Sequence, residues 1–299
     1  MTGSLRALRW TRGALRRLDT ILTRATAPMI DTGSTAPSGD ALAEAEDFFR
    51  ELASDSTSRP YIEAHWHRLI RTIALAPRAA GSKRALELGA YMQMTPALSV
   101  VSGYTEVAAA AFGPAGESVR QTARVGSRSL TYDVSLFDAE QDPFPYPTGY
   151  FSLVLCCEMV EHLLRDPMHM LLEIRRVLEP AGHVLLTTPN CASLTSLACV
   201  LHGRRNPQVY ACYSRANPDD RPHVREYTAY EMGELVKAAG FEVEHLFTER
   251  IQGSDEANWV RDILIGNNLE ASLRGEQTYC LARVSSALPI DRHPPWLYA

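Results

Sequence analysis

Glu158, Glu161 and His162 stand at i, i+3 and i+4 in the stretch Glu158-Met-Val-Glu-His162. On a helix, residues so spaced project from one side, and two carboxylates and an imidazole would then share a face. Such groups can take a proton from a substrate or ligate a cation. Acidic residues at the start of a helix are also stabilised by its dipole with no further role. Both readings stand at this point. Phe151 to Cys156, just before the trio, is a short and almost unbroken apolar run. That is the pattern of a strand buried on both faces of a parallel sheet. The trio therefore follows the carboxyl end of a central strand, the edge where open α/β sheets bind ligands.

The elements that must position these groups are legible around them. Asp166-Pro167 predicts a helix start, an N-cap residue followed by proline in the first turn. Leu171, Ile174 and Leu178 give that helix an apolar stripe, and Pro180-Ala181-Gly182 predicts its end. His183 to Thr187 reads as the next buried strand, which completes a strand–helix–strand unit of a doubly wound α/β sheet. Lys83 to Gly89 predicts the first strand, leading into Gly89-Ala-Tyr-Met-Gln-Met94. Tyr104 to Phe112 and Leu130 to Phe137 predict two more strands, the latter running into Asp138-Ala-Glu-Gln-Asp142. Thr228 to Gly240 predicts a helix, and Phe241 to Phe247 and Tyr279 to Val284 the last strands. Ala41 to Ala53 and Pro60 to Ala76 predict two leading helices with apolar faces from Phe48, Phe49, Leu52, Trp66, Leu69, Ile70 and Ile73. His65 and His67 fall on the second, either lining a pocket or lying on the helix surface.

A chain of 299 residues, 45% hydrophobic, holds one large α/β domain with extensions. A formal charge of −5 offers no general attraction to phosphate backbones and argues against a nucleic-acid acceptor. The six cysteines include no CxxC pair, as expected of reduced thiols in a cytoplasmic protein. No apolar run approaches the roughly 20 residues needed to span a bilayer. Residues 1–40 read as a basic arm and linker. Arg6, Arg9, Arg12, Arg16, Arg17 and Arg24 interleave there with leucines, so the arm could touch an anionic lipid surface, resembles a mitochondrial presequence superficially, or is a plain surface helix. Residues 41–78 hold the leading helices, 79–285 the main domain and 286–299 a tail. Within the domain, 191–227 is long for a connection between elements. Its Arg204, Arg205, Tyr210, Tyr213, Arg215 and Arg221 suit it to cap a polar ligand.

Residues 80–284 closely resemble the class I S-adenosylmethionine (SAM) methyltransferases, above all the branch with ubiquinone-type and small-RNA 3′-end O-methyltransferases. The resemblance is carried by Glu158-Met-Val-Glu-His162, Arg176-Val-Leu-Glu-Pro-Ala-Gly182 and Thr187-Thr-Pro-Asn190, helped by His223-Val-Arg-Glu-Tyr-Thr228 and Ala238-Ala-Gly-Phe-Glu-Val243. It implies a Rossmann-like seven-stranded doubly wound sheet with the helical extension and the inserted cap. It also implies SAM as cofactor, held by Glu87, Gly89, Ala90, Tyr91, Asp138, Ala139 and Cys157, with Asp138 meeting the adenine amino group. Tyr91 and Gln93 occupy the usual places of two glycines, and no acidic residue closes the second strand, since Glu106 lies near its start and Glu117 well beyond it. The loop must then take a wider path round the nucleoside, or the site has lost its cofactor.

In the small-RNA branch the residues matching Glu158, Glu161 and His162, with a later histidine matched here by His223, hold a divalent ion. Two carboxylates and two imidazoles would suit Mg²⁺ or another divalent cation. Methyl transfer to an alcohol is an in-line displacement that needs alignment, exclusion of water and removal of a proton. His162 and His223 are the expected catalytic residues. The expected activity is O-methylation of a small hydroxylated acceptor, a saccharide or glycoconjugate favoured by the cap. The alternatives are a metal-independent small-molecule methyltransferase and a non-catalytic binding protein of the same fold.

Overall fold

The computed structural model describes residues 37–203, 206–207, 222–251 and 257–298. The basic arm and the greater part of the cap, with Tyr210, Tyr213 and four of the arginines named above, lie outside these residues. Residues 37–292 belong to one body; His293 to Tyr298 belong to a separate unit, where Leu297 and Tyr298 N–H groups donate to the Pro294 carbonyl. No helix among the described residues is long and apolar enough to cross a membrane.

Three helices lead the body: α1 Gly39–Leu52, α2 Arg59–Ala64 and α3 Trp66–Leu75. The single helix expected from Pro60 to Ala76 is broken at His65, whose φ of −118° and ψ of 19° leave the helical region. Then follow β1 Arg84–Leu88, α4 Met94–Val100, β2 Glu106–Ala111, β3 Ser118–Val125, β4 Arg128–Leu136, β5 Phe151–Cys157, α5 Pro167–Val177, β6 Leu178–Pro189, α6 Leu194–His202, α7 Ala229–Ala238, β7 Phe241–Glu249, α8 Asn258–Gly266 and β8 Gln277–Val284. The strands order as β3-β4-β2-β1-β5-β6-β8-β7. β4, β2, β1, β5 and β6 are mutually parallel, while β8 is antiparallel to both its neighbours. The order reverses between β1 and β5, and ligands bind at such a switch point.

The sheet has eight strands rather than the expected seven. The addition is β3, an antiparallel partner of β4 turned at Gly126 with φ +57°. Its first five residues are all exposed or half-buried, so no apolar alternation marks it in the sequence.

Alternation along β5 assigns its side chains to two layers. Leu153 and Leu155 join one buried cluster with Phe48, Phe49 and Leu52 of α1 and Leu69, Ile70 and Ile73 of α3. Cys156 points the other way, its Sγ 3.8 Å from Met170 Sδ of α5. The leading helices therefore cover one face of the sheet at the switch point. Fully burying each such Leu or Phe stabilises the fold by about 1.5–3 kcal/mol.

α5 starts where expected: Asp166 accepts the His169 N–H at 3.1 Å, with Pro167 behind it. It ends at Val177, short of Pro180-Ala181-Gly182. The carbonyls of Arg176 and Val177 are taken by the N–H groups of Gly149 and Tyr150 at the mouth of β5, and Leu178 is already paired with Phe151. Pro180 to Gly182 instead forms an irregularity within β6, with Ala181 at φ +60°. Asp166 also pairs with Arg292 through both carboxylate oxygens. Asp166→Ala removes the cap and this pair together; urea titration is expected to show a loss of about 1–2 kcal/mol.

Candidate active site

β1 delivers Glu87, buried among apolar neighbours, where the Thr95 hydroxyl donates to its carboxylate. The next turn places Gly89 at φ +72°, so this position needs glycine for its conformation, and a Cβ there would also press on the flexible Met159 side chain, 2.9 Å from its Sδ. The second left-handed residue is Met92 at φ +65°, while Gln93 keeps ordinary helical angles. The backbone thus passes the two glycine-less positions without asking either for a positive φ. Tyr91 turns outward, 66% exposed and stacked on Tyr61 at 6.0 Å, and Met92 packs into the core. Ala90 is held by its N–H to the Ala110 carbonyl at 2.9 Å.

Burial pushes the Glu87 pKa up to about 7, against partial relief from Thr95 and Arg68. The folded protein holds this proton more tightly than the unfolded chain does. Its stabilising contribution is therefore full below the unfolded value near 4.5 and is lost as pH rises through about 7. Between about pH 5 and pH 8 this group should lower the unfolding free energy by about 3 kcal/mol, and the difference should vanish in Glu87→Gln. Paired urea titrations measure it; equal pH slopes in the two proteins count against a buried, ionising Glu87.

Asp138 spends its carboxylate locally, accepting from the Glu140 N–H and from Gln141 Nε2, both at 3.0 Å. Its neighbour Ala139 is buried. Glu140, also buried, accepts the N–H groups of Arg165 and Asp166 and so anchors the approach to α5.

Beyond β5 the chain does not enter the expected helix. Glu158 sits at φ +51°, and Val160 to His162 form a single 3₁₀ turn. The left-handed residue sends Glu158 away from the other two groups. Its Oε1 accepts from the Thr187 hydroxyl and from Gln277 Nε2, both at 2.8 Å. Glu161 is fully buried, and its Oε2 accepts from the Thr188 hydroxyl at 3.0 Å. Its Oε1 is buried with no hydrogen-bond partner, 4.0 Å from Nε2 of His162 and 4.0 Å from Nε2 of His223. His223 reaches the site because the Glu161 carbonyl accepts the N–H groups of Val224 and Arg225 at 2.7 and 3.2 Å, tying the return of the cap to the 3₁₀ turn.

The tautomers follow from the partners. His162 Nδ1 lies 3.2 Å from the Pro222 carbonyl and His223 Nδ1 2.9 Å from the Glu226 carboxylate. Carbonyl and carboxylate oxygens only accept, so each Nδ1 carries a proton, and in the neutral ring the lone pair is then on Nε2. One carboxylate oxygen and one ring nitrogen from each histidine lie within 4.8 Å of one another. Burial first, and Glu158 second, drive the Glu161 pKa well above the ordinary carboxylate range. An ionised Glu161 is costly here unless a positive charge joins it. The donor set fits a divalent ion of intermediate softness. Glu158 is not part of this cluster, so three of the four expected ligands come together.

A model of the methyltransferase domain family matches residues 61–246, more than half of the chain. The chain belongs to this methyltransferase family, of the class I SAM-dependent kind. A probable SAM-dependent methyltransferase of Mycolicibacterium smegmatis is 35% identical over 100 residues, 33% of this chain and 32% of the relative, so the match spans about a third of that protein. Among solved structures, a chain in a complex of the Haloferax volcanii Trm112 methyltransferase activator with a putative methyltransferase aligns with a TM-score of 0.47 at 16% identity, over 79% of this chain and 97% of that one. A SAM-dependent methyltransferase of Archaeoglobus fulgidus gives 0.46 and 17%, over 76% and 94%.

In this member of the family the leading helices contribute more to the switch point than their apolar stripes announce. Arg68 of α3 is buried and donates to the Tyr61 hydroxyl at 3.1 Å. Burial opposes its charge, but Glu158, Tyr61 and Cys157 outweigh that and hold its pKa above the usual arginine value. The same guanidinium lowers the pKa of Glu87 and Glu161. It also opposes burial at Cys157, where burial nevertheless pushes the thiol up to about 12. His65 is lowered, first by burial and then by Arg68. Tyr61, His65 and Arg68 thus share one face at the carboxyl ends of β1 and β5, an arrangement that the histidine pair alone did not predict. His67 is exposed.

Proposed function

We propose that this methyltransferase moves the SAM methyl group to a hydroxyl of a small polar acceptor, assisted by a divalent ion held by Glu161, His162 and His223. The observation that carries the reading is the meeting of three acceptor atoms, one of them a buried orphan, at the carboxyl edge of β5. When bound, such an ion supplies Lewis acidity that lowers the pKa of a ligated hydroxyl. The chain supplies the rest. Gly89 and Ala90 let the backbone turn close to the nucleoside, and buried Arg68 offers a cation to the carboxylate of the SAM methionine moiety. The aromatic and basic residues of the cap, Tyr210 and Tyr213 among them, support a saccharide or glycoconjugate acceptor. Burial of the Glu161 side chain keeps water from competing at the cluster.

Calorimetry with SAM and mass-spectrometric screening of hydroxylated acceptors for a gain of one methyl group test the transfer. A chelator should abolish turnover and one defined divalent ion restore it. Turnover that persists through chelation would instead assign the proton to His162 Nε2 acting alone, and failure to bind SAM would leave only a binding protein.

A further inference from the structure

Glu226 touches neither the switch point nor the three converging atoms, yet it determines what one of them can do. It lies three residues after His223, with its side chain largely buried, and receives the Nδ1 proton at 2.9 Å. The segment between them is fixed from both sides. Val224 and Arg225 N–H groups bond the Glu161 carbonyl. Arg225 bonds Glu231 at 2.7 Å and lies over the Tyr227 ring at 4.8 Å, and Tyr227 bridges to Asn190 at the end of β6. Glu231 in turn closes the capping box of α7 with Thr228. The Glu226 carboxylate therefore has a fixed position against one ring nitrogen. His162 has a neutral carbonyl in the corresponding place. The two imidazoles are thus unequal, since the Nδ1 partner is a carboxylate at His223 and a backbone carbonyl at His162.

We infer that Glu226 is a positioning residue: it holds His223 as the Nδ1–H tautomer, so that Nε2 stays unprotonated and directed at Glu161. The importance of this for catalysis rests on the metal-assisted reading above; the tautomer itself does not. The test uses the full chain and two variants, Glu226→Ala and Glu226→Gln. In metal-free protein at alkaline pH, where both rings are neutral, long-range proton–nitrogen correlation should show His223 as Nδ1–H in the wild type. In Glu226→Ala it should shift to the Nε2–H form that imidazole prefers in water. Glu226→Gln can still accept the Nδ1 proton and should keep the tautomer. Calorimetric Mn²⁺ affinity should fall about 10–100-fold in Glu226→Ala and less in Glu226→Gln, with SAM affinity unchanged in both. An unchanged His223 tautomer in a folded Glu226→Ala protein overturns the inference. A wild type that takes up no Mn²⁺ while showing the tautomer change overturns the metal-assisted reading and leaves the role of Glu226 intact. Should Glu226→Ala not fold, loss of the Nδ1–H form in wild-type spectra is the overturning result.

Discussion

Glu161→Gln is expected to abolish ion binding and lower kcat by about 10³-fold or more while leaving the protein as stable as the wild type, or more so. The two effects have opposite signs because the same buried oxygen causes both. Glu161 Oε1 is a buried oxygen without a hydrogen-bond partner, 4.0 Å from Nε2 of His162 and 4.0 Å from Nε2 of His223. A glutamine can keep its carbonyl on the Thr188 hydroxyl and replace the partnerless Oε1 with an NH₂ group facing the two imidazoles. It also removes an acid whose ionisation burial disfavours, so a gain of about 1–2 kcal/mol in unfolding free energy is expected near neutral pH. Chemistry loses what the fold gains: an uncharged amide does not recruit a divalent ion, and losing several kcal/mol of electrostatic assistance corresponds to the stated drop in rate. Single-turnover kinetics and thermal melts on the same preparation decide the matter. Turnover within tenfold of the wild type, or a clear loss of stability, would falsify the assignment of Glu161 as the central ligand.

The parts of this site that were legible in the sequence are those that local rules control. Phe151 to Cys156 is an almost unbroken apolar run because the strand is buried on both faces, and Asp166-Pro167 is a helix start in any context, so both matched. The Glu158 to His162 spacing misled because helical phase was read where a left-handed residue intervenes; one positive φ at Glu158 redirects a carboxylate from the cluster to Thr187 and Gln277. The partners were hard to foresee for a different reason. Gln277 opens the last strand 119 residues after Glu158, and Arg68 sits among the buried, mostly apolar residues of α3. A polar residue in a run that should be buried was the available signal in both cases, since burial without a partner is costly. Helix α8 has no counterpart among the sequence expectations, although Val260 and Leu264 at i and i+4 are the residues it buries against α6. The β3 strand carried no such signal, being exposed at the edge of the sheet.

Arg68→Met should weaken SAM binding by about 10–100-fold and lower stability by about 1–3 kcal/mol, the loss growing as pH rises. Methionine has an unbranched apolar stem like that of arginine, so the change removes charge more than volume. That charge opposes the burial of Glu87 and Glu161 and is itself sustained by Glu158. Without it each carboxylate holds its proton to a higher pH, and ionising them in the folded state costs more. The pH slope of stability should therefore steepen above neutrality, opposite to the flattening expected of Glu87→Gln. The range stays below the cost of breaking a direct buried ion pair, because the hydrogen bond that fixes Arg68 goes to the neutral Tyr61 hydroxyl. SAM binding separates two roles for this residue. A guanidinium that only balances buried acids would leave the cofactor affinity of Arg68→Met near the wild-type value once the variant is folded. One that meets the SAM carboxylate would lose affinity for SAM and for S-adenosylhomocysteine alike, since both carry that carboxylate, and would lose much less for 5′-methylthioadenosine, which lacks it. Calorimetry with the three ligands reads the difference directly, and an equal loss for all three would remove Arg68 from the cofactor site.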